Sequence, residues 1–547
     1  MSAGTHSATL AVADLFADAE ALVARLVAEP WGQVSPSVYE TGRLVALSPG
    51  LTGHDQRVAH LLRTQQPYGG WGSPEPGYAL VPTLSATDAL LATLPGRGPR
   101  AEGASAGLRV LFRWLRGPGA LTGPELPDLP AIELIVPSLI QSINRRLDET
   151  PPSGGWWPGG ERLRTPAGIS EAPLTMIRDR LASGGGLPQK LLHALEIAGD
   201  VARRHPAIRP ETTGTVGASP AATAAWLGDG AAPDEPARAF LERAVRRYGG
   251  PVPCGLPITV FERGWVLSWL ARAGLGVAPP AEIVTSLVAS LGPGGTAAAA
   301  GLPKDADTTA VALYALALAG APHSPDALWA FENDTHFSTW PGEEGVSVST
   351  NAHVLEAFGQ YRREVREDGT AEAARRTATV AKVAAWLRDQ QSDDGNWHDR
   401  WHASPYYATA CAALALHEFD GPASAAAVDR AVRWVLETQR PDGSWGHWTG
   451  TAEETAYAVQ LLLLTRPDPA AGEELPDGPH RRAAERGCDH LARFPAHPED
   501  PALWHDKDLY QPIAVVRAAT LAALHLGHRH LGDRPRFGLD QWIAWRP

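Results

Sequence analysis

The chain has 547 residues, 44% hydrophobic side chains and a formal net charge of −13. That length supports cores for two or three domains, and the acidic balance argues against nucleic acid or an anionic membrane surface as a partner. Cys254, Cys411 and Cys488 are isolated and lack CxxC spacing, which excludes a disulfide framework or zinc site and fits a reducing, cytoplasmic setting.

The first 30 residues carry Asp14, Asp18 and Glu20 in place of a basic leader, so they do not read as a signal peptide. Ser7 to Glu29 reads as an amphipathic helix, with Leu10, Leu15, Ala19, Leu22 and Leu26 at helical spacing, ended by Pro30. Beyond Ser35–Thr41 a second short helical run stops at Ser48-Pro49-Gly50. Strand signals are almost absent; Ala/Leu-rich helical segments alternate with Gly/Pro punctuation, and the expected fold class is all-α. The longest apolar run, near Thr308 to Ala321, is shorter than the ~20 residues a spanning helix needs. No integral membrane segment is expected.

Three segments obey Gln-x5-Trp: Gln65 to Trp71, Gln391 to Trp397 and Gln439 to Trp445. Each follows one helical segment and precedes another. A helix–turn–helix unit recurring at about 45–50 residues implies stacked helical hairpins, as an open solenoid or a closed α/α barrel. Periodicity does not choose between them. Two repeat sets are indicated, one over residues 55–290 and one from 296 onward. Pro151–Gly168 and Pro467–Pro479 read as loops, and Trp156-Trp157 in the first reads as packing.

Asp305-Ala306-Asp307-Thr308-Thr309 opens one of the most apolar helical runs in the chain. Asp305 reads as its N-cap. Two carboxylates beside so much apolar surface are costly unless paired or protonated.

Gln-x5-Trp repeats joined to an Asp-x-Asp-x-Thr box resemble the class II terpene cyclases. The resemblance is carried in order by Ser35–Thr41 (with Glu40 where the family has Asp), Ile132–Leu139, Leu191–Glu196, Ser219–Ala224, Gly249–Pro253, Phe261–Trp265, Asp399–Tyr407, Glu453–Tyr457 and Leu503–Tyr510. It implies two α/α barrels of stacked helical hairpins. Residues 1–48 and 296–547 are expected to form one barrel, and 49–295 the inserted one.

The resemblance makes Asp307 the proton donor and Asp305 its helper. Thr308 stands where the family has a third Asp, so burial and Asp305 are expected to keep Asp307 protonated. Glu133, which composition alone reads as a buried, hydrogen-bonded glutamate, becomes the partner of a Mg²⁺ bridging to a substrate diphosphate. Lys507 becomes a point charge for that diphosphate, and Trp265 a cavity-lining cation stabiliser. His193 matches a position where plant copalyl-type enzymes pair His with Asn as terminal base, but Cys254 takes the Asn position here.

No Asp-Asp-x-x-Asp box is present, which implies that a prenyl diphosphate substrate keeps its diphosphate. The Asp-x-Asp-Thr-Thr variant resembles bacterial drimenyl diphosphate synthases, so the expected reaction is cyclisation of farnesyl diphosphate to a bicyclic drimane-type diphosphate. The alternatives are geranylgeranyl diphosphate giving a labdane- or halimane-type diphosphate, a squalene-type cyclase, and a non-catalytic helical scaffold. Nothing in the sequence fixes the oligomeric state.

Overall fold

A computed structural model of the chain describes residues 12–93, 98–149, 161–228, 232, 235–365, 369–465, 478–496 and 500–531. Trp156, Trp157 and most of both Pro/Gly-rich loops lie outside the described residues. The described chain is helical apart from one two-stranded ribbon, Trp504–His505 with Leu509–Tyr510.

Six helices pack each on the next: Thr259–Arg272, Ala306–Leu318, Val348–Glu364, Pro405–Phe419, Ala452–Leu464 and Ile513–Leu531. The last returns to the first, so the ring closes. A helix lining such a ring meets protein on every side and must be apolar all round. In Ala306–Leu318 every residue from Thr308 to Ala317 is buried. Val12–Ala28, Ala281–Ser290, Ala371–Asp389, Ala425–Glu437 and Pro479–Arg493 pack outside it and are amphipathic, burying one stripe each. This is a closed α/α barrel, not a solenoid.

A smaller ring is made by Val38–Leu47, Pro76–Ala92, Ile132–Glu149, the 3₁₀ segment Leu195–Ala202 and Pro220–Leu227. His54–Thr64, Pro99–Arg116, Ala172–Ala182 and Pro236–Arg247 surround it. The barrels therefore divide at places other than residues 48 and 295. Val38–Leu47 joins the smaller ring, and Thr259–Arg272 and Ala281–Ser290 belong to the larger. Thr259–Arg272 buries Phe261, Trp265, Val266, Trp269 and Leu270 together in the core of the larger ring, against Ala306–Leu318 and Ile513–Leu531.

The Gln-x5-Trp turns share one geometry. Trp71, Trp397 and Trp445 are fully buried, and their indole N–H groups donate to Leu61, Leu387 and Val435 carbonyls at 2.6, 2.7 and 2.7 Å. Those acceptors lie near the C-terminal end of the preceding helix, where carbonyls lack partners. The glutamine amide ties its turn to the next outer helix: Gln391 Nε2 reaches Gly395 O and Ala427 O, and Gln439 Nε2 reaches Gly443 O and Ala483 O. Gly395 and Gly443 have φ of +96° and +88°, and a Cβ at either would sit 2.6 Å from a carbonyl of that outer helix. Each repeat thus clamps an outer helix to its neighbour.

Candidate active site

Asp305 is the N-cap of Ala306–Leu318, and one of its oxygens accepts from Thr308 N at 2.6 Å. Burial, and secondarily the neighbouring Asp307 charge, pushes its pKa up to about 8. Burial therefore favours the neutral form of Asp305. Thr308 is buried and serves as the donor to this cap, with a hydroxyl bond as well as its backbone N–H.

Asp307, the second residue of the helix after the cap, faces His353 on Val348–Glu364. The imidazole Nδ1–H donates to Asp307 Oδ1 at 2.6 Å. Burial opposes a charge on His353, but the Asp307 charge and hydrogen bond outweigh it and raise its pKa well above the ordinary value. Asp307 keeps 13% of its side-chain surface open inside the barrel, against 6% for His353. The sequence expectation gave Asp305 and burial the task of managing Asp307; the partner the structure adds is a buried imidazolium.

An aromatic row runs outward from this cluster. Trp265 meets His353 edge-on at 5.3 Å and Phe261 at 4.3 Å. Its indole N–H donates to Tyr407 OH at 2.8 Å. Trp504 packs on Phe261, Tyr407 and Tyr510 at 5.5, 4.7 and 6.4 Å. Phe261 and Tyr510 then line a cavity of about 510 Å³ between the barrels, together with Ile258, Ala298, Leu302, His193, Cys254 and Asp506. Trp265 and Trp504 are themselves buried and outside that lining, which corrects the cavity-lining position expected of Trp265; Phe261 and Tyr510 are the members of the row that present π faces to a cation in this cavity.

Lys507 is not in that lining. It sits at the tip of the ribbon, fully buried, with Nζ donating to Glu196 Oε1 at 2.9 Å, Ser219 Oγ at 2.8 Å and His193 O at 2.8 Å, and paired with Glu40. An ammonium with all its hydrogens engaged has none for a diphosphate, which corrects the role expected of Lys507. It is the cation that joins helix Val38–Leu47 and the smaller barrel to the ribbon of the larger. Asp508 completes the joint by accepting from Ser37 Oγ and Tyr39 N. Lys507→Met leaves Glu40 and Glu196 buried without a counter-charge, so a stability loss of about 3–5 kcal/mol is expected in denaturant titration. A midpoint equal to that of the unaltered protein would show the network to be dispensable.

His193 does line the cavity. Its Nδ1 bonds Gly217 O at 2.6 Å and its Nε2 bonds Asp506 Oδ1 at 2.8 Å. Both partners are acceptors, so both ring nitrogens carry hydrogen. Burial opposes the charge, yet Asp506 raises the His193 pKa; burial likewise opposes ionisation of Asp506, but His193 and Lys507 bring it down to about 2. The pair is imidazolium and carboxylate. Cys254 hydrogen-bonds Asp506, and burial pushes its thiol well above the usual range, so it is a donor and not a thiolate.

At the mouth of the cavity stand Glu133, Asp128, Lys190, Glu343, Glu344 and Arg400. Glu133 lies in the first turn of Ile132–Glu149 and is exposed, unlike the buried glutamate its apolar neighbours suggest. Arg400 bonds Asp128 at 2.8 Å across the barrel junction and also pairs with Glu343. Among the described residues no group of three or more His, Cys, Asp or Glu side chains is placed to hold a metal ion. A divalent cation here would need most of its oxygens from a ligand, which suits Mg²⁺ with phosphate oxygens and one carboxylate.

Sequence reasoning missed His353, Arg400 and Asp506 as site residues. Arg400 and Asp506 fall in stretches already quoted for their resemblance, and nothing local marks their chemistry. The signal that existed for His353 was weak: it is one of two ionisable residues, with Glu356, in the run Val348–Phe358, whose residues are all buried.

A family model described as the squalene-hopene cyclase C-terminal domain matches residues 345–462. The ent-copalyl diphosphate synthase of Streptomyces sp. (strain KO-3988) is 43% identical over 525 residues, covering 94% of this chain and 96% of that protein. The labda-7,13-dienyl diphosphate synthase of Streptomyces clavuligerus is 43% identical over 528 residues, covering 93% and 92%. Among solved structures, ent-copalyl diphosphate synthase from Streptomyces platensis superposes with a TM-score of 0.86 at 45% identity, covering 94% of this chain and 99% of that one. No helix among the described residues is long and apolar enough to cross a membrane.

Proposed function

Because this chain belongs to the bacterial class II terpene cyclases, we propose that it cyclises geranylgeranyl diphosphate to a bicyclic labdane-type diphosphate, with Asp307 as the acid that starts the reaction. The observation that carries the reading is the interior cluster of Asp305, Asp307 and His353 at the end of an aromatic row. Names of the full-length relatives, copalyl and labdadienyl diphosphate synthases, favour the C20 substrate. The Thr308 variant favours the farnesyl reading, which is kept as an outcome of the test.

Asp307 Oδ1 is committed to His353, so the carboxylate–imidazolium pair takes up a proton on Oδ2 before delivering it toward the distal double bond of the chain. The carboxylate left after transfer faces an imidazolium, a preorganised positive charge in a dry site. Neutral Asp305 adds no competing anion. Phe261 and Tyr510 offer π faces to the cation as the rings form, and Trp265 and Trp504 pack behind them and help exclude the water that would quench it early. At the mouth, Arg400 and Lys190 supply positive charge for the diphosphate, and Glu133 would hold a Mg²⁺ that neutralises it. No residue of the cluster ionises the C–O bond, so the diphosphate stays on the product.

The test is incubation with geranylgeranyl and farnesyl diphosphates separately, with Mg²⁺, followed by dephosphorylation and product identification. A bicyclic C20 alcohol as the preferred product supports the proposal; preference for farnesyl diphosphate replaces it with the drimane reading, and acyclic alcohols alone overturn both. Turnover should also decline on the alkaline side with an apparent pKa near that of Asp305, about 8, because its ionisation puts a second anion beside Asp307. Asp305→Asn caps the helix equally well and stays neutral, so it should flatten that limb. A profile already flat in the unaltered protein would remove Asp305 from this role.

A further inference from the structure

Resting on that reading, a second step needs a residue: the bicyclic cation must lose a proton to become an olefin. We propose that Asp506 accepts this proton on Oδ2, with His193 and Lys507 holding the carboxylate in place. Asp506 lines the cavity and keeps 16% of its side-chain surface open. Its Oδ1 is saturated, accepting from His193 Nε2 at 2.8 Å and from Lys507 N at 2.6 Å. Oδ2 lies over Gly255, where a β-carbon would stand 3.6 Å from it. Glycine at 255 puts no side chain over that oxygen, and apart from the two donors on Oδ1 the carboxylate meets, among the described residues, only the weak S–H donor of Cys254.

The other ionisable groups of the lining do not fill the role. His193 is already doubly protonated, and the Cys254 thiol is a donor. Glu343 and Asp128 are paired with Arg400; His505 Nδ1 bonds the Arg400 carbonyl at 2.7 Å, and its Nε2, although without a partner among the described residues, is buried with no open surface from which to meet the substrate. Glu133, Glu344 and Lys190 stand exposed at the mouth. Asp506 is the enclosed anion, and it is near the aromatic row: both Asp506 and Asp307 act on the charge of Tyr510, whose ring lies between the cavity and Trp504.

The step balances without a co-reactant. A C–H bond next to the cationic carbon breaks, its electron pair becomes the new C=C bond, and the proton converts the Asp506 carboxylate to the acid. A group with a pKa of about 2 then returns that proton to water, and Asp307 takes one up. The net reaction is an isomerisation.

The variant Asp506→Asn tests this. The amide can donate to a neutral His193 Nε2, so the contact survives, but it cannot accept a proton. The olefin made by the unaltered enzyme should fall about tenfold as a share of product, replaced by alcohols from water capture and by double-bond isomers, while substrate is still consumed. Gly255→Ala, whose methyl meets only ordinary contacts, covers Oδ2 without touching the ion pair and should shift products the same way; it carries the test if Asp506→Asn does not fold. The same single olefin in unchanged proportion from the folded variant overturns the proposal, since lost stability alone lowers yield without redistributing products. If the unaltered protein returns only acyclic alcohols, the parent reading falls instead.

Discussion

Asp307→Asn should lose at least about 10³-fold in turnover while melting within a few degrees of the unaltered protein. The amide oxygen can still accept from His353 Nδ1–H at the site of the present 2.6 Å bond, so packing and the helix start are retained. The substitution removes only the transferable proton. That separation makes the variant informative: a cluster serving stability would show its loss in the melt, whereas a proton donor shows it in rate. Product formation from the better substrate, measured beside a thermal melt, decides the matter. A folded Asp307→Asn protein that cyclises at a comparable rate would falsify the assignment.

The second large effect is expected at His353. Two contributions are mixed in the present imidazole: it orients Asp307 through Nδ1, and it supplies a positive charge, since Asp307 raises its pKa well above the ordinary value. His353→Gln keeps an N–H donor and discards the charge; His353→Leu discards both. If charge dominates, both variants should fall by about 10²- to 10³-fold in kcat, the range seen when one preorganised electrostatic partner of a transition state is deleted. KM should move little, because His353 is not among the residues lining the cavity. A near-normal rate for His353→Gln beside a dead His353→Leu would assign the residue to orientation alone. Product identity should stay constant in both, in contrast to the Asp506 variants.

These two residues show how far sequence reasoning reached. Asp305 and Asp307 are adjacent in the chain, and their chemistry follows from two acids meeting an apolar helix. His353 lies 46 residues further on, and only ring closure brings Val348–Glu364 against Ala306–Leu318. The Gln-x5-Trp turns were legible for the same local reason as the acid pair: glutamine, glycine and tryptophan act within one turn and one neighbouring helix. Lys507 was misjudged because its neighbours in sequence, Asp506 and Asp508, hide its partners in space. Glu40, Glu196 and Ser219 come from three separate elements, and a lone lysine looks available until they are assembled. For Glu133 it was the reading from composition, a buried glutamate, that erred, in the other direction. Its apolar neighbours bury themselves in the smaller barrel, while the first turn of its helix turns the carboxylate out to the cavity mouth.

The way the larger ring closes also bears on how the chain acquires its shape. Helix Val12–Ala28 packs against Ile513–Leu531 and Thr259–Arg272, so its partners are made hundreds of residues after it. Val38–Leu47 to Pro236–Arg247, in contrast, contains every helix of the smaller ring. During synthesis the smaller barrel can complete itself early, from comparatively local pairings, while the first helix waits for Thr259–Arg272 and meets Ile513–Leu531 only when the last ring member emerges. Contacts of such sequence separation carry the greatest loop-closure cost and form slowly, although the intervening barrel, once folded, holds the two ends of its own segment close and shortens the effective loop. The inserted barrel thus acts as a brace for assembly: it converts a closure across most of the chain into one between segments it has already brought together.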